Sequence, residues 1–151
     1  DREDAHDYEG LRTVIDRLHH VAIVTGSADD ALGFYRDKLG LHVTEDRVVQ
    51  EQGVRGVLLA YGESEIEILE PVQPDTGVAR FLANKGEGLH HIGYRVNDCA
   101  EALASMLAAG ATAIDKAPRP GSRGTTVAFI HPKGSFGTLI ELVQENPGSG
   151  H

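Results

Sequence analysis

A short phrase that occurs twice constrains this chain more than any other feature. Leu18-His19-His20-Val21 returns as Leu89-His90-His91-Ile92, 71 positions later. An internal repeat of this size means that one supersecondary unit is written twice and that neither copy buries its apolar face alone. Each copy continues with a segment of helical periodicity. In the first, Ala31, Leu32, Phe34, Tyr35 and Leu39 carry the apolar positions and Gly40 is a C-terminal stop. In the second, Ala100, Leu103, Met106 and Leu107 do so, with Gly110 in the same role. Asp29 and Asp98 fall near the helix starts, where a short acidic side chain can cap exposed N–H groups.

Each copy then ends in strands. Val54 to Tyr61 and Glu65 to Leu69 are β-like, and their counterparts are Thr125 to Ile130 and Thr138 to Val143. The last strands align as Ile66-Glu67-Ile68-Leu69 with Ile140-Glu141-Leu142-Val143, an offset of 141 − 67 = 74. The unit is therefore strand, helix, then about three strands. This predicts an α+β fold in which two twisted sheets enclose a cleft and the helices cover their outer faces. Residues 17–146 read as one domain of two modules, about 17–72 and 87–146. Residues 1–16 are a polar, acidic extension, expected to form a short helix or stay loose, and 147–151 look like a linker with the start of an affinity tag.

Side chains alternate along a strand, so Glu67 faces away from Ile66 and Ile68, and Glu141 away from Ile140 and Leu142. With the apolar neighbours packed under helices, both carboxylates fall on the concave side, where burial is costly unless something pairs with them. A pseudo-twofold between the copies would bring His20, His91, Glu67 and Glu141 to one place. Two imidazoles and two carboxylates make an N2O2 donor set that balances a divalent cation such as Co²⁺, Mn²⁺, Ni²⁺, Fe²⁺ or Zn²⁺. The adjacent His19 and His90 are expected on the opposite face, in structural or supporting roles. His131 follows a strand and could line the cleft mouth.

Charge narrows the partners. The 151-residue chain carries a net charge of −9, which argues against non-specific binding to nucleic acid or to an anionic membrane surface. No apolar run approaches the roughly 18 residues needed to span a bilayer. The one cysteine, Cys99, suits a reducing cytoplasm. Between Lys116 and Ile140 there is no acidic residue, while Lys116, Arg119, Arg123 and Lys133 all fall there. Within that stretch, Ser122, Arg123, Gly124 and Lys133 are candidates for holding an anionic ligand.

The double βαβββ pattern with His and Glu on matching strands resembles the vicinal-oxygen-chelate superfamily, or glyoxalase fold. Within it, Leu18 to Ile23, Gly62 to Pro71, Gly86 to Ile92, Phe129 to Lys133 and Leu139 to Leu142 are similar, in order and spacing, to the methylmalonyl-CoA epimerase family. The resemblance implies His20, Glu67, His91 and Glu141 as ligands of a divalent metal, with Co²⁺ taken first. It implies a homodimer and an acyl-CoA thioester substrate. The implied reaction interconverts (R)- and (S)-methylmalonyl-CoA by proton removal at C2 through an enolate, with Glu141 as both ligand and base. Some bacterial members carry an acidic residue, proposed as one of two bases, where this chain has Gly56; Glu51 is a weaker substitute. The competing expectations are a glyoxalase I-like isomerase acting on a glutathione hemithioacetal and a non-enzymatic small-molecule-binding module of the same fold. Ring-cleaving dioxygenases, with two His and one Glu, are disfavoured by the fourth donor.

Overall fold

The computed structural model describes residues 14–147. Almost all of the expected N-terminal extension, and the expected tail from residue 148 on, lie outside the described residues. The elements run β1 (Arg17–Val24), α1 (Ala28–Tyr35), β2 (His42–Val49), β3 (Val54–Tyr61), β4 (Ser64–Pro71), α2 (Gly77–Lys85), β5 (Gly88–Arg95), α3 (Cys99–Ala108), β6 (Arg119–Pro120), β7 (Thr126–Ile130) and β8 (Leu139–Gln144). The βαβββ unit is present twice, and the α+β class matches the expectation. The helix α2, between the copies, has no counterpart in that expectation.

The two halves are one sheet rather than two. Its strand order is β2-β3-β4-β1-β5-β8-β7-β6. Within each half the first strand pairs parallel to the last, β1 with β4 and β5 with β8, and the halves join where β1 meets β5 antiparallel. Residues from β2, β3 and β4 line the same cleft as Ser122 and Arg123 from the far end of the sheet, so the sheet curls round on itself. Arg123 Nη2 closes the curl by donating to Glu65 Oε1 at 3.0 Å, with both side chains about nine-tenths buried.

Two cores hold the curl from outside, and they match position by position. Ala28, Leu32, Val57, Leu59 and Ile68 pack under α1. Cys99, Leu103, Ala128, Ile130 and Leu142 pack under α3, joined by Val96 and Ala102. The first four pairs keep the repeat's offset of 71 and the last has the offset of the final strands. Alternation follows directly: Val57 and Leu59 face α1, whereas Gly56 and Leu58 line the cleft.

The helices start as short polar side chains dictate. Asp98 Oδ1 caps α3 by accepting from Glu101 N at 3.0 Å. In α1 the cap is Ser27, whose hydroxyl accepts from Asp30 N at 3.1 Å, and the expected Asp29 lies in the first turn instead. Thr76 does the same for α2, accepting from Ala79 N at 3.0 Å. The second copy also departs from the first at its edge. The equivalent of β2 is reduced to Arg119–Pro120, because Pro120 supplies no ladder N–H.

Leu142 is 1% exposed and lies next to Glu141, so it couples packing to the site. Leu142→Ala is expected to cost about 2–5 kcal/mol through lost burial and the cavity it leaves. The midpoint of urea unfolding, with an unchanged slope, checks this.

Candidate metal centre

The β1–β5 seam builds the site. The register passes from Leu18 opposite Tyr94 to His20 opposite Gly93, which leaves His19 as an extra residue on β1. It passes again from Ala22 opposite His91 to Ile23 opposite Leu89, which leaves His90 as an extra residue on β5. These are two β-bulges, one per copy, each immediately before a candidate ligand. A bulge suspends the strict alternation of faces. His19 and His90 therefore do not point away as a regular strand would require. Their Nδ1 atoms lie 2.8 Å from the Nδ1 atoms of His20 and His91 respectively.

The other ring nitrogens converge. His20 Nε2 and His91 Nε2 are 2.9 Å apart. Glu141 Oε1 lies 3.1 Å from each of them, and Glu67 Oε1 is 3.9 Å from His20 Nε2. His20, Glu67 and His91 each present one donor atom within 4.8 Å of the others. All four residues anticipated as ligands are thus brought together. Both imidazoles are buried, and the Glu141 side chain is 12% exposed. Gly93 makes room for the first ring: a Cβ there would sit 2.3 Å from His20 Cε1 and 2.5 Å from Nδ1.

The electrostatics are those of a site that demands a cation. Burial would raise the Glu141 carboxyl, but the hydrogen bonds from His20 and His91 override it and hold the group at about 2. Burial opposes the charged form of His20, yet the Glu141 hydrogen bond and the nearby carboxylates raise its pKa above the usual imidazole value. His90 goes the other way, down to about 4, because it is buried and faces His91. Donors bound at about 2.1 Å to one ion lie roughly 3–3.5 Å from one another in tetrahedral or octahedral arrangement. The observed separations of 2.9–3.9 Å are close to that range, so the residues fit a divalent metal ion.

Around this cluster the cleft is lined by Glu45, Arg47, Gln52, Gly56, Leu58 and Ser122, among others. Glu45 is in register with Leu58, and Leu58 with Glu67, so the two carboxylates stand on one level of the sheet. The sequence reading missed Glu45, although Glu45, Arg47 and Val49 alternate along β2 onto the cleft face; Val43, on the other side of a bulge, packs with the α1 core. Glu51 is exposed in the β2–β3 turn and is not among the described cleft-lining residues.

Of the anion-binding candidates, Ser122 and Arg123 reach the cleft, and the Arg123 guanidinium is committed to Glu65. Gly124 follows at φ 76°, with its carbonyl accepting from Asn146 Nδ2 at 2.9 Å. Lys133 is exposed on the turn Pro132–Ser135, which His131 caps by accepting from Lys133 N at 3.0 Å.

Residues 19–129 match the family model of the glyoxalase/bleomycin resistance protein/dioxygenase superfamily. The ethylmalonyl-CoA/methylmalonyl-CoA epimerase of Cereibacter sphaeroides is 35% identical over 87% of this chain and 99% of its own. The crystal structure of methylmalonyl-CoA epimerase from Mycobacterium tuberculosis superposes with a TM-score of 0.82 at 30% identity, covering 94% of this chain and 97% of the other. A variant of the Streptomyces coelicolor methylmalonyl-CoA epimerase, solved with 2-nitronate-propionyl-CoA, gives a TM-score of 0.79 at 34% identity over 88% and 99%. The chain belongs to the glyoxalase/bleomycin resistance protein/dioxygenase superfamily, whose curled sheet it has. Within it, the chain belongs with the methylmalonyl-CoA epimerases.

The Gly93 contact gives a direct test of how the site is seated. Gly93→Ala is expected to force the His20 ring out of the cluster while the sheet keeps its order. A crystal structure of the variant should show the His20 Nε2–His91 Nε2 separation grow well beyond 2.9 Å.

Proposed function

We propose that this chain inverts C2 of methylmalonyl-CoA, working on the acyl end of a CoA thioester by removing one proton and returning another to the opposite face. The observation that carries this is Glu141 Oε1 at 3.1 Å from both His20 Nε2 and His91 Nε2, in a cluster that meets the cleft at Glu67. The chemistry explains why such a carboxylate is useful. The C2 proton lies between a thioester and a carboxylate, so its loss leaves an enolate whose charge must be held. A nitronate, found with the Streptomyces coelicolor relative, is a planar anionic stand-in for that species.

His20, Glu67, His91 and Glu141 would hold the divalent ion, with Co²⁺ favoured by the resemblance. When bound, the ion supplies Lewis-acid stabilisation of negative charge developing on the substrate oxygens. Glu141 Oε1 takes both imidazole contacts, which leaves Oε2 to accept the C2 proton. The second proton needs a group on the other face. Gly56 offers none, and Glu45 provides a carboxylate from the neighbouring strand. In one direction Glu141 takes the proton and protonated Glu45 delivers one; in reverse the roles exchange. Ser122 and Gly124 would contact the acyl portion and Lys133 the anionic CoA portion, with Arg123 fixing the loop through Glu65. A homodimer in the cytoplasm completes the reading, the dimer by family resemblance and the compartment by the one buried thiol.

Deuterium exchange at C2 of methylmalonyl-CoA in D2O, followed by NMR, tests the reading. Exchange should be fast and should stop when a chelator strips the metal. Glu141→Gln should slow it by about 10²–10⁴-fold with the fold intact. Glu45→Gln should leave exchange from one epimer but suppress epimerisation, the signature of losing one of two bases. No exchange, alongside turnover of the methylglyoxal–glutathione adduct, would assign the site to a glyoxalase I-like isomerase instead.

A further inference from the structure

We propose that His19 is a positioning residue that fixes the tautomer and orientation of His20, and that Glu145 orients His19 in turn. The inference rests on the reading of His20 as a metal ligand and adds what makes that ligand competent. Behind the cluster the groups form a line. His20 Nδ1 is 2.8 Å from His19 Nδ1, and His19 Nε2 is 3.4 Å from Glu145 Oε2. Glu145 is anchored from the other side, where its Oε1 accepts from Arg95 Nε at 2.7 Å and from Arg17 Nη2 at 3.3 Å.

The direction of the line follows from what each group can do. At 3.4 Å this is an ion-pair contact rather than a hydrogen bond, but a carboxylate beside two guanidinium groups favours hydrogen over a lone pair on the nitrogen that faces it, so His19 Nε2 is the one that carries hydrogen. In neutral His19 the other nitrogen, Nδ1, then has a free lone pair and accepts. His20 Nδ1 is therefore the donor, and when a metal ion replaces the proton that His20 Nε2 shares with Glu141, the Nε2 lone pair would face the ion beside His91, Glu141 and Glu67. Histidine ligands are generally aligned by a partner on the far ring nitrogen. Here that partner is a second histidine, delivered to the same side of the sheet by the bulge in β1.

The second copy has the same bulge but a different ending. His90 Nδ1 lies 2.8 Å from His91 Nδ1, and the His90 ring rests against the edge of Phe81 with centroids 4.8 Å apart. No ion pair of His90 with a carboxylate is found among the described residues. The two imidazoles are thus supported unequally, and His19 carries the larger share of the ordering.

The test uses the full chain and Co²⁺, with affinity measured by chelator competition and the site read by the cobalt d–d spectrum. His19→Phe keeps a ring but removes the acceptor, and it should weaken Co²⁺ binding by about 10–100-fold and alter the spectrum. His19→Asn, whose Oδ1 can accept from His20 Nδ1, should recover most of the affinity and the native spectrum. A role in packing alone would favour Phe over Asn, so that order of affinities overturns the inference. His90→Phe should cost less than His19→Phe. If His19→Phe does not fold, His19→Met supplies the apolar comparison. Wild-type affinity and spectrum in the Phe or Met variant would also overturn the inference while leaving the metal site standing. Failure of the wild-type chain to bind Co²⁺ would instead remove the metal reading, and this inference with it.

Discussion

The antiparallel seam between β1 and β5 is the contact on which the rest of the structure depends. It is where the two copies become one sheet, and the only strand pairing between them among the described residues. Regular pairing would send successive side chains to opposite faces. Two bulges break that rule once in each strand, and they do so at His19 and His90. The result is two imidazole pairs whose outer members meet at 2.9 Å over a glycine that leaves space for one of them. Without the bulges, the same sequence would put one histidine of each pair out of reach of its neighbour.

The surrounding fold makes that arrangement affordable. Glu141 and Glu67 stand on strands whose alternate residues, Leu142 and Ile68, are locked into the two cores. The strands therefore cannot rotate their carboxylates toward solvent without giving up buried apolar contacts. Confined against two imidazoles, Glu141 stays ionised despite its burial, and the cluster favours a positive charge at its centre. The buried Arg123–Glu65 pair draws the far edge of the sheet over the same cleft. Binding chemistry and packing are two faces of the same strands.

Much of this was legible in the sequence because it was written twice. The offset between Leu18-His19-His20-Val21 and Leu89-His90-His91-Ile92 also spaces Leu32 from Leu103, the two expected helix positions that are fully buried, whereas Phe34, Leu39, Ala100 and Leu107 are exposed. The four convergent donors followed from the same symmetry. What escaped was whatever depends on register or on long-range contact. A bulge leaves no mark in the order of residues, so His19 and His90 were assigned to the wrong face. The partners of Arg123 and Glu145 are 58 and as many as 128 positions away, beyond any local pattern. Helix α2 has a cap in Thr76 and an apolar i, i+3, i+4 stripe at Val78, Phe81 and Leu82 that went unread; the stripe is short and only half-buried. Glu51 was named and Glu45 was not; the β2–β3 ladder sets Glu45 opposite Leu58 on the cleft face and leaves Glu51 exposed in the turn.

The central claim is that one divalent ion sits where the two copies meet. Anomalous diffraction from crystals soaked in Co²⁺ tests it most directly. The account predicts a single strong peak per chain, bounded by His20 Nε2, His91 Nε2 and the carboxylates of Glu67 and Glu141. A cobalt peak elsewhere with this cluster unchanged, or none at an occupancy-saturating concentration, would contradict it.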